Sequence, residues 1–161
     1  MIYLQPVGFS NIELLEFLKE RLSEKFYWLE GVKILENLEP LESCYNRSRK
    51  QFNSTCLLFW LRDVWITLGV TSYDLYADFM NFVFGEAELN GSRAIVSTYR
   101  LVGNKIKERL LKEATHEIGH VLGLRHCKNR KCVMCFSNSV LDVDEKSDEF
   151  CESCRKKLNK Y

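Results

Sequence analysis

The sequence lacks several features that would point to membranes or nucleic acid. It has no apolar stretch near the roughly 20 residues that a membrane-spanning helix needs. It also lacks an excess of either charge, because 23 lysines and arginines offset 22 aspartates and glutamates, leaving a net charge of +1. A nearly neutral chain has no strong sequence-independent attraction to nucleic acid or to an anionic membrane surface. We therefore expect neither as a partner.

Secretory signals, internal repeats and low-complexity tracts are also not evident. The N-terminal residues 1–6 are too short an apolar segment for the hydrophobic region of a signal peptide. A chain of 161 residues with 46% hydrophobic residues can bury about 70% of its unfolded surface in one domain. We expect a single domain over residues 1–161, a monomer, and a cytoplasmic, reduced location.

Histidine is scarce, and its distribution is informative. The chain has three histidines, all between positions 116 and 126. On a helix, His116 and His120 lie one turn apart on the same face, so both imidazoles can reach one metal ion. Gly123 allows the helix to end and the chain to reverse, which can bring His126 to the same ion. Three protein nitrogens leave one position open on a tetrahedral zinc, as in catalytic sites.

Glu117 directly follows the first histidine. From the flank of the same helix face it can take a proton from a water molecule at the metal, which is the role of a general base in zinc hydrolases. We therefore predict a catalytic zinc site with Glu117 as general base. The alternative is a catalytically silent zinc protein that acts as a partner-binding module. Glu117 argues against this alternative, because a silent zinc site has no need of it.

Five of the seven cysteines cluster near the C-terminus, at positions 127, 132, 135, 151 and 154. In a chain without a signal peptide, such clustering favours a metal site over disulfides. Four cysteines complete a closed structural zinc site. Spacing alone leaves two sets open: the two Cys-x2-Cys pairs that include Cys135, or a set in which Cys127 takes its place.

Two further predictions concern the remaining cysteines and the basic residues. Cys44 and Cys56 are far from the cluster, and we favour free thiols over a disulfide between them. Basic residues beside the cysteine cluster, such as Lys128 and Arg155, would suit a nucleic-acid-binding zinc module. Charged residues beside zinc-binding cysteines are more commonly a solvated surface, and the overall charge is close to zero, so we reject this interpretation.

The combined motif resembles that of the archaemetzincins, a family of zinc metallopeptidases in the metzincin clan. Their pattern is His-Glu-x2-His-x2-Gly-x2-His-Cys-x4-Cys-x-Met followed, after a loop, by Cys-x2-Cys. The sequence matches it at ten positions, and the loop before the last pair is one residue shorter. The matching residues are His116, Glu117, His120, Gly123, His126, Cys127, Cys132, Met134, Cys151 and Cys154.

This resemblance implies a set of roles for the matching residues. The three histidines would hold a catalytic zinc, and Met134 would lie in a tight turn beneath them as an apolar floor. A second, structural zinc would be bound by Cys127, Cys132, Cys151 and Cys154, giving two zinc ions per chain. The substrate would be a peptide or protein. Apart from the resemblance, the β-prone segment before the long helix suggests that a strand near residues 82–89 could align the substrate by taking it up as an additional strand.

The hydrophobic pattern predicts alternating strands and helices, hence an α/β (α+β) fold. Residues 104–122 form a long amphipathic helix that carries His116 and His120, and Asn90-Gly91 indicates a hairpin. The predicted strands are 1–7, 32–38, 64–70, 79–87 and 93–99, and the other helices are 11–24, 46–62 and 152–160. Because 79–87 and 93–99 would form this hairpin, one of them should be an antiparallel edge strand in an otherwise parallel sheet. The resemblance adds that the mixed sheet is twisted. It also divides the chain into residues 1–123 and a small zinc-stapled subdomain of residues 124–161.

Overall fold

A computed structural model describes residues 1–158 of the chain. Its eight strands are β1 Ile2–Val7, β2 Val32–Ile34, β3 Tyr45–Asn46, β4 Gln51–Asn53, β5 Ile66–Thr71, β6 Leu75–Tyr76, β7 Gly85–Ala87 and β8 Arg93–Ser97. Its five α-helices are α1 Ile12–Lys25, α2 Ser54–Trp60, α3 Ile106–Val121, α4 Val140–Glu145 and α5 Glu152–Leu158. Among these residues, no helix has both the length and the apolar character that crossing a membrane requires.

The main sheet has five strands in the order β2-β1-β5-β8-β7. The first four run parallel, and β7 pairs antiparallel with β8, with Glu86 opposite Ile95. The central strand β5 is buried along its whole length, as expected for a parallel strand covered on both faces. This architecture confirms the predicted mixed sheet with one antiparallel edge strand.

Helices α1 and α3 cover one face of the main sheet, and α2 covers the other. Leu18 of α1 and Ile118 of α3 share a core cluster with Val96 of β8. The neighbouring Ile95 instead joins a second cluster with Leu57 of α2, because successive side chains of a strand point to opposite faces. The long helix α3 therefore lies directly beneath the sheet, with its C-terminal end below the edge formed by β7.

The segment predicted as a helix at 46–62 is different in the structure. Residues 45–53 form the short antiparallel pair β3–β4, which joins β6 in a three-stranded second sheet, and only α2 is helical. Asn53 explains the boundary, because its side chain accepts a hydrogen bond from the backbone N–H of Cys56 and caps the helix there.

This hairpin also brings two cysteines together. It folds Cys44 back to the first turn of α2, where its Cα lies 5.5 Å from that of Cys56, and the two form a disulfide. The prediction of free thiols was therefore wrong. An uninterrupted helix over 46–62 would have carried Cys56 away from Cys44, so both errors have the same origin. The disulfide also contradicts a fully reduced chain.

Smaller differences concern element boundaries. The predicted strand 79–87 contracts to β7, and residues 79–84 run irregularly, with Phe79 at φ +67°. The strand 32–38 ends at Ile34, and α4 was not predicted. The hairpin was predicted correctly, since β7 and β8 pair around Asn90 at φ +54°. Helix α5 follows the prediction to Leu158; residues 159 and 160 lie outside the described part.

The C-terminal residues contribute several apolar side chains to the main core. Val133, Met134, Phe150 and Leu158 belong to the same buried cluster as α1, α3 and the sheet. Two ion pairs add to this packing: Arg109 of α3 with Asp144 of α4, and Lys25 of α1 with Glu149. The C-terminal residues are thereby bound both to α1 and to α3, the helix that carries the histidines.

Candidate active site and metal centres

The C-terminal turns of α3 bring His116 and His120 together. Their Nε2 atoms are 3.1 Å apart. Each Nδ1 lies within hydrogen-bond distance of a backbone carbonyl oxygen, at 2.8 Å from Val133 for His116 and 2.7 Å from Leu124 for His120. When Nδ1–H donates to a carbonyl, the lone pair is left on Nε2. Both rings therefore present a free Nε2 toward the same point.

The end of α3 delivers the third histidine. Gly123 has φ +99°, a conformation that a Cβ opposes. The backbone N–H groups of Gly123 and Leu124 donate to the carbonyls of His120 and Gly119, both at 2.9 Å, and close the helix. The chain then reverses, and the ring of His126 lies 4.9 Å from that of His120. One nitrogen from each of the three histidines lies within 4.8 Å of the others.

The chemistry of these donors fits a divalent transition metal. Burial lowers the pKa of all three imidazoles, most strongly that of His116. They are therefore neutral at physiological pH, the form in which histidine binds metal. His116 is buried, His120 is half-buried and His126 is exposed. The three nitrogens could hold zinc on one face and leave the other open to the cleft.

Glu117 lies beside the histidines and lines the same cleft. It is buried, and desolvation raises the pKa of its carboxyl well above the usual range, with a further contribution from Glu113. Gly85 of β7 faces it closely: a Cβ on Gly85 would meet both the carbonyl oxygen of Ile95 and the Glu117 carboxylate. The edge strand therefore approaches the active-site helix as nearly as a glycine backbone permits.

Met134 is fully buried in a tight turn against α3. The backbone N–H of Cys135 donates to the carbonyl of Cys132 across this turn, and a Cβ on Gly119 would meet the Met134 sulfur. The same turn supplies the Val133 carbonyl that contacts His116. Packing at Gly119 thus controls how closely the turn approaches the histidines.

Four of the five C-terminal cysteines form a second cluster. The Sγ atoms of Cys127, Cys132, Cys151 and Cys154 all lie within 4.8 Å of one another. Among residues 1–158, Cys135 is not part of this group; its thiol donates to the carbonyl of Phe136.

The electrostatics of this cluster suit a cation. The backbone N–H of Cys154 lowers the pKa of Cys151 to about 7, whereas burial raises the pKa of Cys132 and of Cys154. Cys132 and Cys154 therefore resist ionisation, whereas the neighbouring Cys151 ionises readily. All three can become thiolates together only if a positive charge lies among them. Four thiolates around one ion is the donor set of structural zinc sites.

The cleft above the histidines has a volume of about 620 Å³. The irregular segment 79–84 and β7 form one wall, and residues 136–138 form the other. The floor is α3, which contributes Glu113, His116, Glu117 and His120. In the main sheet, β7 is hydrogen-bonded to β8 on one side only. Its other edge faces this cleft.

Comparison with known proteins agrees with this geometry. The model of peptidase family M54 matches residues 33–160. The chain belongs to peptidase family M54. Archaemetzincin from Methanocaldococcus jannaschii is 53% identical over 167 aligned positions, covering 98% of this chain and 92% of that protein. Archaemetzincin from Archaeoglobus fulgidus is 50% identical and covers 98% of both chains. A crystal structure of the A. fulgidus protein superposes with a TM-score of 0.91 over 97% of this chain and 98% of that one, at 49% identity.

Membership in this family confirms the coarse predictions made from the motif. The chain is a zinc metallopeptidase that acts on peptides or proteins, and its fold is that of the archaemetzincins.

Sequence reasoning missed one group in the site. Glu113 and Lys146 form a buried ion pair, with Nζ 3.4 Å from Oε1, at the side of the cleft. A signal for the glutamate was present, because it precedes Glu117 by four positions and so lies on the same face of α3. No local pattern marked Lys146, whose place is set by tertiary packing.

Proposed function

We propose that this chain hydrolyses peptide bonds at a zinc held by His116, His120 and His126, with Glu117 as general base. The observation that carries this proposal is the convergence of three neutral imidazole nitrogens on one point of an open cleft, beside a buried carboxylate that binds none of them. A purely structural site would close the fourth position with a protein ligand.

The side chains divide the chemistry between them. Zinc, when bound, polarises the peptide carbonyl and lowers the pKa of water. Glu117 accepts a proton from the attacking water and passes it to the leaving amine. Its raised pKa supports this role, because a carboxylate that must take up and then release a proton works best when its pKa approaches the ambient pH. The Val133 and Leu124 carbonyls hold two imidazoles in the orientation that metal binding needs.

The free edge of β7 is the proposed guide for the substrate backbone. A peptide added there would lie over the histidines, since Gly85 directly faces Glu117. The position of β7 is fixed from behind: Glu86 accepts hydrogen bonds from the hydroxyls of Ser54 and Thr55 at 2.9 and 2.8 Å. Strand addition of this kind aligns a substrate by its backbone and leaves its side chains to the pockets.

The second proposed zinc is structural and is held by Cys127, Cys132, Cys151 and Cys154. The proximity of these four sulfurs supports this set over the one with Cys135. Cys127 adjoins His126 in sequence, and its backbone N–H donates to the carbonyl of Met134 at 3.0 Å. A metal on the cysteines would therefore fix both the third histidine and the methionine turn.

The test compares the zinc-loaded protein with Glu117→Gln, which keeps the size of the side chain but cannot accept the proton. Both proteins are assayed for zinc content and for cleavage of a diverse peptide library. We expect two zinc ions per chain in both, and a loss of about 10²–10⁴-fold in cleavage rate for the variant. His120→Ala should retain one zinc ion. Equal rates for wild type and Glu117→Gln would exclude this general base, and two bound zinc ions without any cleavage would favour the partner-binding alternative.

A further inference from the structure

We propose that Lys146 is a positioning residue for the metal site of the three histidines. Its buried ammonium ties the methionine turn, residues 132–135, to the active-site helix α3, and the tied turn carries the carbonyl that orients His116. This inference rests on the proposed function, because the histidine site is the one that the proposed reaction uses. It concerns how strongly, and in what geometry, that site holds its metal ion.

The ammonium of Lys146 joins two parts of the fold from one buried position. It donates a hydrogen bond to the carbonyl of Cys135 at 3.0 Å and lies 3.4 Å from Oε1 of Glu113. The lysine side chain is 1% exposed and that of the glutamate 3%. Cys135 closes the methionine turn, whereas Glu113 belongs to α3. A single side chain therefore connects the turn to the helix.

The methionine turn orients His116 directly. The Val133 carbonyl oxygen lies 2.8 Å from Nδ1 of the imidazole, which leaves Nε2 for the metal ion. The backbone N–H of Cys135 donates to the Cys132 carbonyl at 3.0 Å, so Val133 lies inside the turn that these two residues close. If Cys135 moves, the Val133 carbonyl changes direction and the imidazole moves with it. Partners of this kind are worth about 10–100-fold in metal affinity or activity.

The backbone of Lys146 is fixed on both sides, so its ammonium is presented from a rigid support. Its N–H donates to the carbonyl of Asp142 in α4 at 3.3 Å, and the next residue, Ser147, donates to the carbonyl of Lys131 at 3.0 Å. Lys131 directly precedes the methionine turn. The backbone therefore places Lys146 beside the turn independently of its side-chain contacts.

Stability of the fold does not by itself explain a charged pair at this place. Apolar residues of similar volume commonly stabilise a protein as well as a buried ion pair does, because burying two charges removes them from water. An apolar side chain, however, has no donor for the Cys135 carbonyl. A buried ammonium supplies that donor and requires an opposite charge nearby, which Glu113 provides one turn before His116. The pair therefore gives the site a backbone tie that an apolar contact lacks.

The test removes the tie and keeps the volume of the pair, in the double variant Glu113→Leu/Lys146→Met. Zinc affinity is measured by competition with a chromophoric chelator, and the histidine-bound ion is identified as the one that His120→Ala lacks. We expect the double variant to bind zinc at the histidines about 10–100-fold more weakly than the wild type, while the second ion stays bound. Unchanged affinity at the histidines would overturn the proposal. A double variant that does not fold would show that the pair is needed for the fold itself, which would likewise overturn a positioning role.

A second readout reports the geometry of the site instead of its affinity. The protein is loaded with cobalt(II), whose visible absorption depends on the arrangement of its ligands, and the spectrum of cobalt-loaded His120→Ala is subtracted to isolate the histidine site. The double variant should show an altered spectrum at saturating cobalt, because the His116 ring is no longer held in one orientation. A spectrum identical to that of the wild type would show that Lys146 does not orient this ligand.

Arg109→Met/Asp144→Leu is the matched control. This ion pair also joins α3 to the C-terminal residues, with Nε 2.8 Å from Oδ1. Within residues 1–158, the side chain of Arg109 bonds to Asp144 and to the carbonyls of Leu101 and Val102, away from the methionine turn. Its removal should leave the zinc affinity and the cobalt spectrum of the histidine site unchanged. An equal loss in the control would show only a general loosening of the C-terminal residues and would refute the specific tie.

Failure of this proposal is distinguishable from failure of the proposed function. If the wild type binds zinc at the histidines without cleaving peptides, the proposed catalytic function fails, while the affinity and the cobalt spectrum still decide the role of Lys146. If cleavage depends on Glu117 but the double variant keeps both the affinity and the spectrum of the wild type, only the positioning role fails.

Discussion

Gly119 and Met134 should be coupled in stability, because the methionine occupies the space that a side chain at position 119 would need. A Cβ there would meet the Met134 sulfur, its methyl carbon at 3.1 Å, and Phe150 at 3.2 Å. Gly119→Ala gains about 1 kcal/mol of helix propensity but overpacks a core, which costs about 1–3 kcal/mol. The net expectation is a loss of about 0–2 kcal/mol in the free energy of unfolding.

The double variant separates these contributions. Met134→Ala alone should cost about 2–5 kcal/mol, because it removes a fully buried side chain and leaves a cavity. In the Met134→Ala background the new Cβ at position 119 loses its closest contact, the Met134 sulfur, and only the tight contact with Phe150 remains. The double variant should therefore be about 1–3 kcal/mol more stable than the sum of the single effects predicts.

The measurement is urea unfolding of the four proteins at one saturating free zinc concentration. Leu110→Ala is the control partner: it is buried in the same helix, but nine residues away, about 13 Å along the axis. Gly119→Ala with Leu110→Ala should be additive. If the Gly119 and Met134 effects also add within about 0.5 kcal/mol, the turn does not press on the helix, and the argument that this packing positions the histidines is wrong.

Three other changes have definite expected results. Gly85→Ala should lower kcat/KM by about 10²-fold with zinc content unchanged, because the added methyl displaces the Glu117 carboxylate; normal activity would contradict the close approach of the edge strand. Cys56→Ser should lower the free energy of unfolding by about 3 kcal/mol, because it opens the loop of 12 residues that the disulfide with Cys44 closes. A reductant should lower the stability of the wild type by the same amount and leave that of the variant unchanged. Asp144→Asn should destabilise at neutral pH. Arg109 lowers the pKa of this aspartate in the folded state, so the stabilisation is complete above the ordinary aspartate pKa and disappears as pH falls through the lowered pKa. The difference in unfolding free energy between wild type and variant should therefore shrink toward acid pH, and a constant difference would refute the ion pair.

The histidine site could be predicted because its geometry is almost entirely local. One helical turn fixes the separation of His116 and His120, and a glycine at a helix end fixes the direction of the chain toward His126. The antiparallel edge strand was predictable for the same reason, since Asn90-Gly91 defines a turn within a few residues. Local rules of this kind need no knowledge of the rest of the fold.

The cysteine cluster shows where local spacing stops being sufficient. Cys127 and Cys135 are both close to Cys132 in sequence, and spacing does not tell which sulfur faces the pair at 151 and 154. In the structure that choice depends on tertiary contacts. The backbone of Cys127 bonds to Met134, whereas the Cys135 carbonyl accepts from Lys146 and its thiol turns to Phe136.

The prediction of a helix at 46–62 was wrong for a different physical reason. The apolar residues of this segment recur at near-helical intervals. Asparagine, however, is favoured at the N-cap of a helix and disfavoured in its interior, and Asn53 is the N-cap of α2. Lys50 takes φ +56° at a turn. The helix cap at Asn53 and the turn at Lys50 therefore outweighed the helical periodicity of the apolar residues. The consequence extended beyond this segment, because only the hairpin brings Cys44 to Cys56.

The buried pair of Glu113 and Lys146 was missed because charged residues on an amphipathic helix ordinarily face solvent, and no local pattern marks Lys146. Glu113 occupies a position of α3 that would be its polar face if the helix were free, and that face is covered by the methionine turn and the segment before α5. Burial of a charge requires a partner, and Lys146 supplies it from another part of the chain.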